Sequence, residues 1–145
     1  MATVNIYLNF NGNCEDAFNF YQSILGGEFT YIGRFGEIPE SEDYKVAEGD
    51  KNKIMHVSLP VGNSILMGSD IGSEWTSSFQ QGNNFSVSIT ADSKDEANKL
   101  FKGLSEEGQI TMPLADTFWG DYFGMFTDKF GVNWMISFNE QQQSS

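Results

Sequence analysis

The chain has 145 residues, enough for one ordinary domain with its own core. Its 20 acidic and 8 basic residues leave a formal net charge of −12, which argues against nucleic acid or an anionic membrane surface as a partner, since both reward clustered Lys and Arg. Hydrophobic residues at 39% and aromatics at 14% supply a core rather than a disordered chain, and no apolar run approaches the ~18 residues a membrane helix needs.

Met1 to Asn5 has neither the basic start nor the apolar run of a secretory signal. The single Cys14 excludes an internal disulfide, and together these features predict a cytoplasmic protein. Val4, Ile6, Leu8 and Phe10 alternate with Asn5, Tyr7, Asn9 and Asn11, the period of a strand buried on one face. A helix over 14–25 follows, opened by Asn13 with Asp16 three positions on and stopped by Gly26-Gly27. Strands are expected over 28–34, 53–59 and 64–68, with Pro60-Val61-Gly62-Asn63 as the turn between the last two. Residues 36–52 read as a long loop and 70–83 as a linker.

The pattern then repeats. Phe85, Val87, Ile89 and Ala91 alternate with Ser86, Ser88 and Thr90, and a helix over 94–106 opens on Ser93 with Glu96 three positions on. Asn13 to Tyr21 lies over Ser93 to Phe101 without a gap. Three more strands are expected over 109–114, 121–127 and 133–138, with Asp128-Lys129-Phe130-Gly131 as the last turn. Each half reads β-α-β-β-β, so the expected fold class is α+β. It is a single domain, 1–145, with an internal repeat at 3–70 and 83–139 and a polar tail at 140–145. Each sheet should bury its apolar row under its helix. The opposite face, which carries Tyr7 and Asn9, suits a small-molecule cup.

The βαβββ duplication comes with a Phe20-Tyr21-x-x-x-Leu25-Gly26-Gly27 helix end and an Asp128-x-Phe130-Gly131 hairpin. Further motifs are Tyr7-Leu8-Asn9-Phe10-Asn11-Gly12-Asn13, Lys53-Ile54-Met55-His56, Ile65-Leu66-Met67-Gly68-Ser69-Asp70 and Asp116-Thr117-Phe118-Trp119-Gly120-Asp121. Together they resemble the PhnB-like branch of the vicinal oxygen chelate superfamily, which holds glyoxalase I, bleomycin-resistance proteins, fosfomycin-resistance enzymes and extradiol dioxygenases. The resemblance implies two modules of curled mixed sheet around a ligand cup, and a homodimer. In that superfamily the metal enzymes hold a divalent ion with His on first strands and Glu on last strands. The matching positions here are Tyr7, Ser86, Leu66 or Met67, and Met135, none a usual ligand for a divalent ion. No cofactor or metal is therefore expected.

The expected function is metal-free binding of a small, partly apolar molecule, as in bleomycin-resistance proteins. One alternative is a metal-dependent glyoxalase- or dioxygenase-type enzyme with non-standard ligands, His56 among them and Asp116, Asp121 or a Glu of the 36–52 loop as others. A dimeric scaffold without pocket chemistry is another. A demethylubiquinone methyltransferase, a name this branch sometimes carries, is disfavoured. No Gly-x-Gly-x-x-Gly follows a strand, and the β-α-β-β-β order is not doubly wound.

The expected lining of the cup is Tyr7, Asn9, His56, Met67, Phe118, Trp119 and Met135. By alternation Ile54, His56 and Ser58 face the cup, and Met55, Val57 and Leu59 face the helix. His56, the one histidine, is the candidate polar anchor or catalytic base, because imidazole suits proton transfer near neutral pH. The bland alternative is a hydrogen-bonded sheet histidine. Phe118 and Trp119 would stack on a planar ligand or cover the core at a crossover. Met135 would make the cup dry and adaptable, or belong to the core. Asn9 would meet a ligand carbonyl or hydroxyl, or hold loop backbone. Cys14 sits where a helix dipole lowers a thiol's pKa, but a small apolar filler is the simpler role. Glu15, Asp16, Asp95, Glu96, Glu106 and Glu107 read as solvated helix faces.

Overall fold

Alternating apolar and polar residues fold here into two four-stranded sheets, each with one helix against its apolar face. The computed structural model describes residues 2–140, with 74 and 75 described by their backbone. Of the polar tail expected at 140–145, residues 141–145 lie outside the described residues. The chain's contacts divide it into two units, meeting between Gln80 and Gln81.

Unit 1 runs β1 (Ile6–Phe10), α1 (Cys14–Leu25), β2 (Tyr31–Arg34), β3 (Ile54–Val61) and β4 (Ser64–Asp70). Its sheet order is β1-β4-β3-β2, with β1 parallel to β4 and the other pairs antiparallel. Unit 2 runs β5 (Val87–Thr90), α2 (Lys94–Leu104), β6 (Gln109–Asp116), β7 (Tyr122–Thr127) and β8 (Asn133–Phe138), in the order β5-β8-β7-β6. Both units are therefore βαβββ modules of mixed sheet, the α+β class that the periodicity implied.

In unit 1 the core forms where Leu8, Phe10, Val57 and Leu66 meet Ala17, Phe18 and Tyr21 of α1, all buried. Phe18 stands edge-on to Phe10 and Tyr21, with ring centroids 6.1 and 5.6 Å away. Gly68 makes the close approach of α1 possible, because a Cβ there would lie 2.5 Å from Phe18 Cε1. In unit 2, Val87, Phe126, Trp134 and Ile136 are buried with Ala97, Phe101 and Leu104 of α2. Phe101 packs edge-on to Phe126 at 5.1 Å.

Several local expectations are corrected. Asn13 makes no side-chain cap on α1. Asp70, at the end of β4, does that work instead: its Oδ1 accepts the backbone N–H of Gly12 (3.0 Å) and Cys14 (2.9 Å), and its Oδ2 accepts that of Ile54 (2.9 Å). The carboxylate thus satisfies helix-end donors and a strand amide at once. Ser93 does cap α2, its Oγ accepting the Glu96 N–H at 3.0 Å, while the Glu96 carboxylate reaches back to the Asp92 N–H at 2.8 Å. In unit 2 the buried Asp128 binds the N–H groups of Phe130 (2.8 Å) and Val132 (3.0 Å) and the Trp134 indole N–H (2.8 Å).

The strand starting at 28 begins at Tyr31, and the hairpin turn shrinks to Gly62-Asn63, since Pro60 and Val61 remain paired in β3. Gly62 has φ +57°, suited to a two-residue hairpin led by glycine. The helix expected to 106 ends at Leu104, and the linker expected from 70 begins after Asp70, with a 3-10 turn at Ser73–Ser78. Val4 and Phe85 precede their strands and are exposed. Ile54 does not share a face with His56. Gly33 pairs with His56 and Arg34 with Ile54, so Met55 is an extra residue in a bulge, the alternation slips there, and Ile54 is buried.

Candidate ligand face

Directly opposed residues in a sheet share a face, so register alone assembles the candidate site. In unit 1, Tyr7, Met67, Ser58 and Tyr31 are opposed in turn and form one row across all four strands. The next row holds Asn9 opposite Ser69 and His56 opposite Gly33. Leu8, Val57 and Leu66 are buried on the other side, so these rows lie on the face turned from α1.

His56 is the centre of this face. Its Nδ1 lies 3.3 Å from Tyr7 Oη and its Nε2 lies 2.9 Å from Ser58 Oγ. The Tyr7 and Tyr31 rings flank it, with centroids 5.5 and 5.8 Å away. Tyr31 leans along its strand across Gly33, where a Cβ would come within 2.5 Å of its hydroxyl. Tyr7 and Tyr31 are 44% and 50% exposed, Ser58 is buried, and His56 and Met67 lie between. Asn9 accepts a long hydrogen bond from Ser69 Oγ at 3.4 Å. The structure thus brings Tyr7, Asn9, His56 and Met67 onto one face with Ser58, which alternation had set facing the cup, and adds Tyr31, which sequence reasoning had not singled out. An aromatic two positions before a strand glycine was the available signal for Tyr31.

In unit 2 the corresponding row is Ser88, Met135, Met125 and Met112, followed by Thr90, Ser137, Phe123 and Ala115. Met135 therefore lies on the face turned from α2, with two more thioethers beside it, while Trp134 and Ile136 are buried on the helix side. Trp119, in the β6–β7 loop, holds its indole N–H on Asp121 Oδ2 at 3.0 Å and its ring 5.8 Å from Phe123. Phe118 meets Trp119 edge-on and is 98% exposed, so its ring covers no core. An open hollow of about 340 Å3 adjoins Trp119, where Lys94 lies 4.9 Å from the Tyr122 ring centroid and 3.4 Å from Asp116.

The donors available to a metal do not match a divalent ion. Leu66 is buried on the helix side, so Met67 is the β4 side chain on the face. Register sets Ser88, not Ser86, opposite Met135, because Ser86 precedes β5. The family positions thus carry a phenol, a hydroxyl and two thioethers. Asp121 binds the Trp119 and Asn139 side-chain N–H groups, and Asp116 pairs with Lys94. Among the described residues no three His, Cys, Asp or Glu side chains gather to hold a metal.

Two other groups have shifted protonation, and Cys14 is buried as the small filler that was its simpler reading. Burial, reinforced by the Asp70 carboxylate, pushes the Cys14 thiol well up, overriding the helix dipole. Glu15 is not simply solvated. Arg34 grips it with two bonds of 3.0 and 2.6 Å, and that hydrogen bonding holds the Glu15 carboxyl below its ordinary range.

The sequence matches the Glyoxalase/Bleomycin resistance protein/Dioxygenase superfamily over residues 3–136. It is 34% identical over 142 residues to Protein YjdN of Escherichia coli (strain K12), covering 94% of this chain and 95% of that protein. The crystal structure of PA1353 from Pseudomonas aeruginosa is similar at TM-score 0.85 and 42% identity, covering 96% of this chain and 98% of that one. The PhnB protein from Bacillus cereus matches at TM-score 0.70 and 25% identity, over 94% of this chain and 99% of that one. No described helix is long and apolar enough to cross a membrane. On the family match, the three similar proteins and the shared βαβββ modules, this chain belongs to the glyoxalase/bleomycin resistance/dioxygenase superfamily, in its PhnB-like branch.

Proposed function

We propose that the protein binds a small, partly apolar molecule, without a metal ion, on the sheet face of unit 1. The observation that carries this is the cluster of Tyr7, His56 and Tyr31 beside Met67, with polar hydrogen-bonding groups and half-exposed rings on one open face. Rings and a thioether provide adaptable apolar area, and His56 and Asn9 provide orientation. Unit 2 offers a drier face of its own around Met135, with the Trp119 and Phe118 rings in the loop at its edge. The phenol, hydroxyl and thioethers at the superfamily's metal positions favour the metal-free reading over lyase or dioxygenase chemistry. Sheets whose one parallel pair joins first and last strands likewise offer no Rossmann crevice for a methyl donor. A homodimer in the cytoplasm, where Cys14 stays reduced, completes the proposal.

The test is a fragment titration of chelator-treated protein, followed by the Met67 methyl signal in 13C NMR. Saturable shifts that His56→Ala weakens by about tenfold support the reading, since a lost hydrogen bond and ring contact are worth roughly that factor. No saturable shift with any fragment would overturn it in favour of a scaffold. Binding that needs added zinc, nickel or manganese would overturn the metal-free part.

A further inference from the structure

The Tyr7–His56–Ser58 chain has a direction, and the direction selects a ligand. With the imidazole neutral, the three groups carry three polar hydrogens: one on each hydroxyl and one on the ring. The two contacts of 3.3 and 2.9 Å use two of them. One O–H is left over, at one end of the chain or the other.

The two ends are not equivalent. Ser58 is buried, and among the described residues its hydroxyl has no hydrogen bond besides that to His56. Ser58 is 9% exposed, so a spare O–H left there would have little access to water, which is costly. Tyr7 is 44% exposed, so a spare O–H at its hydroxyl stays solvated until a ligand arrives. Ser58 therefore donates to Nε2, the imidazole carries its hydrogen on Nδ1 and donates to Tyr7 Oη, and Tyr7 presents an outward O–H. Each bond polarises the next, which strengthens that last donor.

We infer that Tyr7 is the specificity-determining donor of the face, and that the ligand is a planar ring bearing a carbonyl or phenolate oxygen. This inference rests on the ligand-binding reading above. The flanking Tyr7 and Tyr31 rings and the Met67 thioether favour a flat apolar body. The outward O–H requires an acceptor at the edge of that body, and a ligand offering only an N–H or ammonium there leaves the donor unmet.

The first arm of the test needs no ligand. His56 is the one histidine in the chain, so a two-bond 1H–15N spectrum at a pH where imidazole is neutral reads its tautomer without assignment. Hydrogen on Nδ1 is expected, and hydrogen on Nε2 overturns the direction of the chain. The second arm compares 2-acetylnaphthalene with 2-isopropenylnaphthalene, which replaces the carbonyl oxygen by a methylene, using the Met67 methyl as reporter. Wild type should prefer the ketone by about fivefold, the worth of one ordinary hydrogen bond. Tyr7→Phe should erase that preference while still binding the alkene. A preference that survives in Tyr7→Phe, or equal binding of both probes by wild type, overturns the donor role and leaves the ligand face standing. If neither probe moves Met67, the planar-ring ligand is overturned, and the fragment titration above decides separately whether the face binds anything.

Discussion

Replacing Asp70 by Asn keeps the shape of a side chain that is 3% exposed and removes half of what it does. The Asn oxygen can take the place of Oδ1 and keep the N–H groups of Gly12 and Cys14. Its NH2 group then faces the Ile54 N–H, which now donates to Oδ2 at 2.9 Å. Two donors meet, and neither has an acceptor. Buried unsatisfied donors cost ~1–3 kcal/mol each, and a lost negative charge at a helix N-terminus adds ~0.5 kcal/mol. The sum is about 2.5–6.5 kcal/mol, a large fraction of the ~5–15 kcal/mol that holds a typical domain, and its lower end corresponds to about 10 °C in Tm. Thermal and urea unfolding followed by far-UV circular dichroism reads the loss, and native-state amide exchange at Ile54 reads its location. A change below ~0.5 kcal/mol, with Ile54 exchange unaltered, would refute the assignment of Asp70 as the shared clamp of α1 and β3.

Gly68→Ala should cost ~1–3 kcal/mol by overpacking, because the new methyl would lie 2.5 Å from Phe18 Cε1 and 3.0 Å from the Leu8 carbonyl oxygen; urea unfolding checks it. Glu15→Gln should cost under ~1 kcal/mol, since the pair with Arg34 is partly solvated. Because Arg34 depresses the Glu15 carboxyl in the folded state, that advantage is full above the unfolded value of ~4.3 and fades as pH falls through the lower folded value. Wild type and variant should therefore converge in stability only once pH has fallen below that lowered folded value. Cys14, buried and with its thiol pushed up, should ignore a disulfide reagent at pH 8 in the native state and react at once in urea; fast native labelling would contradict its burial.

The amino-acid sequence by itself determined the order of elements, the duplication and the extent of α1, because these depend on side-chain period and end signals within a few residues of each other. It also put Tyr7 and Asn9 on the face opposite the core, since alternation within one strand needs no partner. Four features came from tertiary structure alone. Cys14 meets its capping carboxylate 56 positions away on β4, so Asn13 was the wrong cap despite its right local setting. The bulge at Met55 exists because β2 and β3 pair with one residue to spare, and it carries Ile54 into the core. The residue opposite Met135 is Ser88, a pairing set only by the register of β5 and β8. Finally, the Tyr7–His56–Ser58 chain and its Tyr31 flank depend on β1, β4, β3 and β2 lying side by side in that order. A strand's own residues set which way each side chain points, but only pairing with distant strands sets which side chains meet.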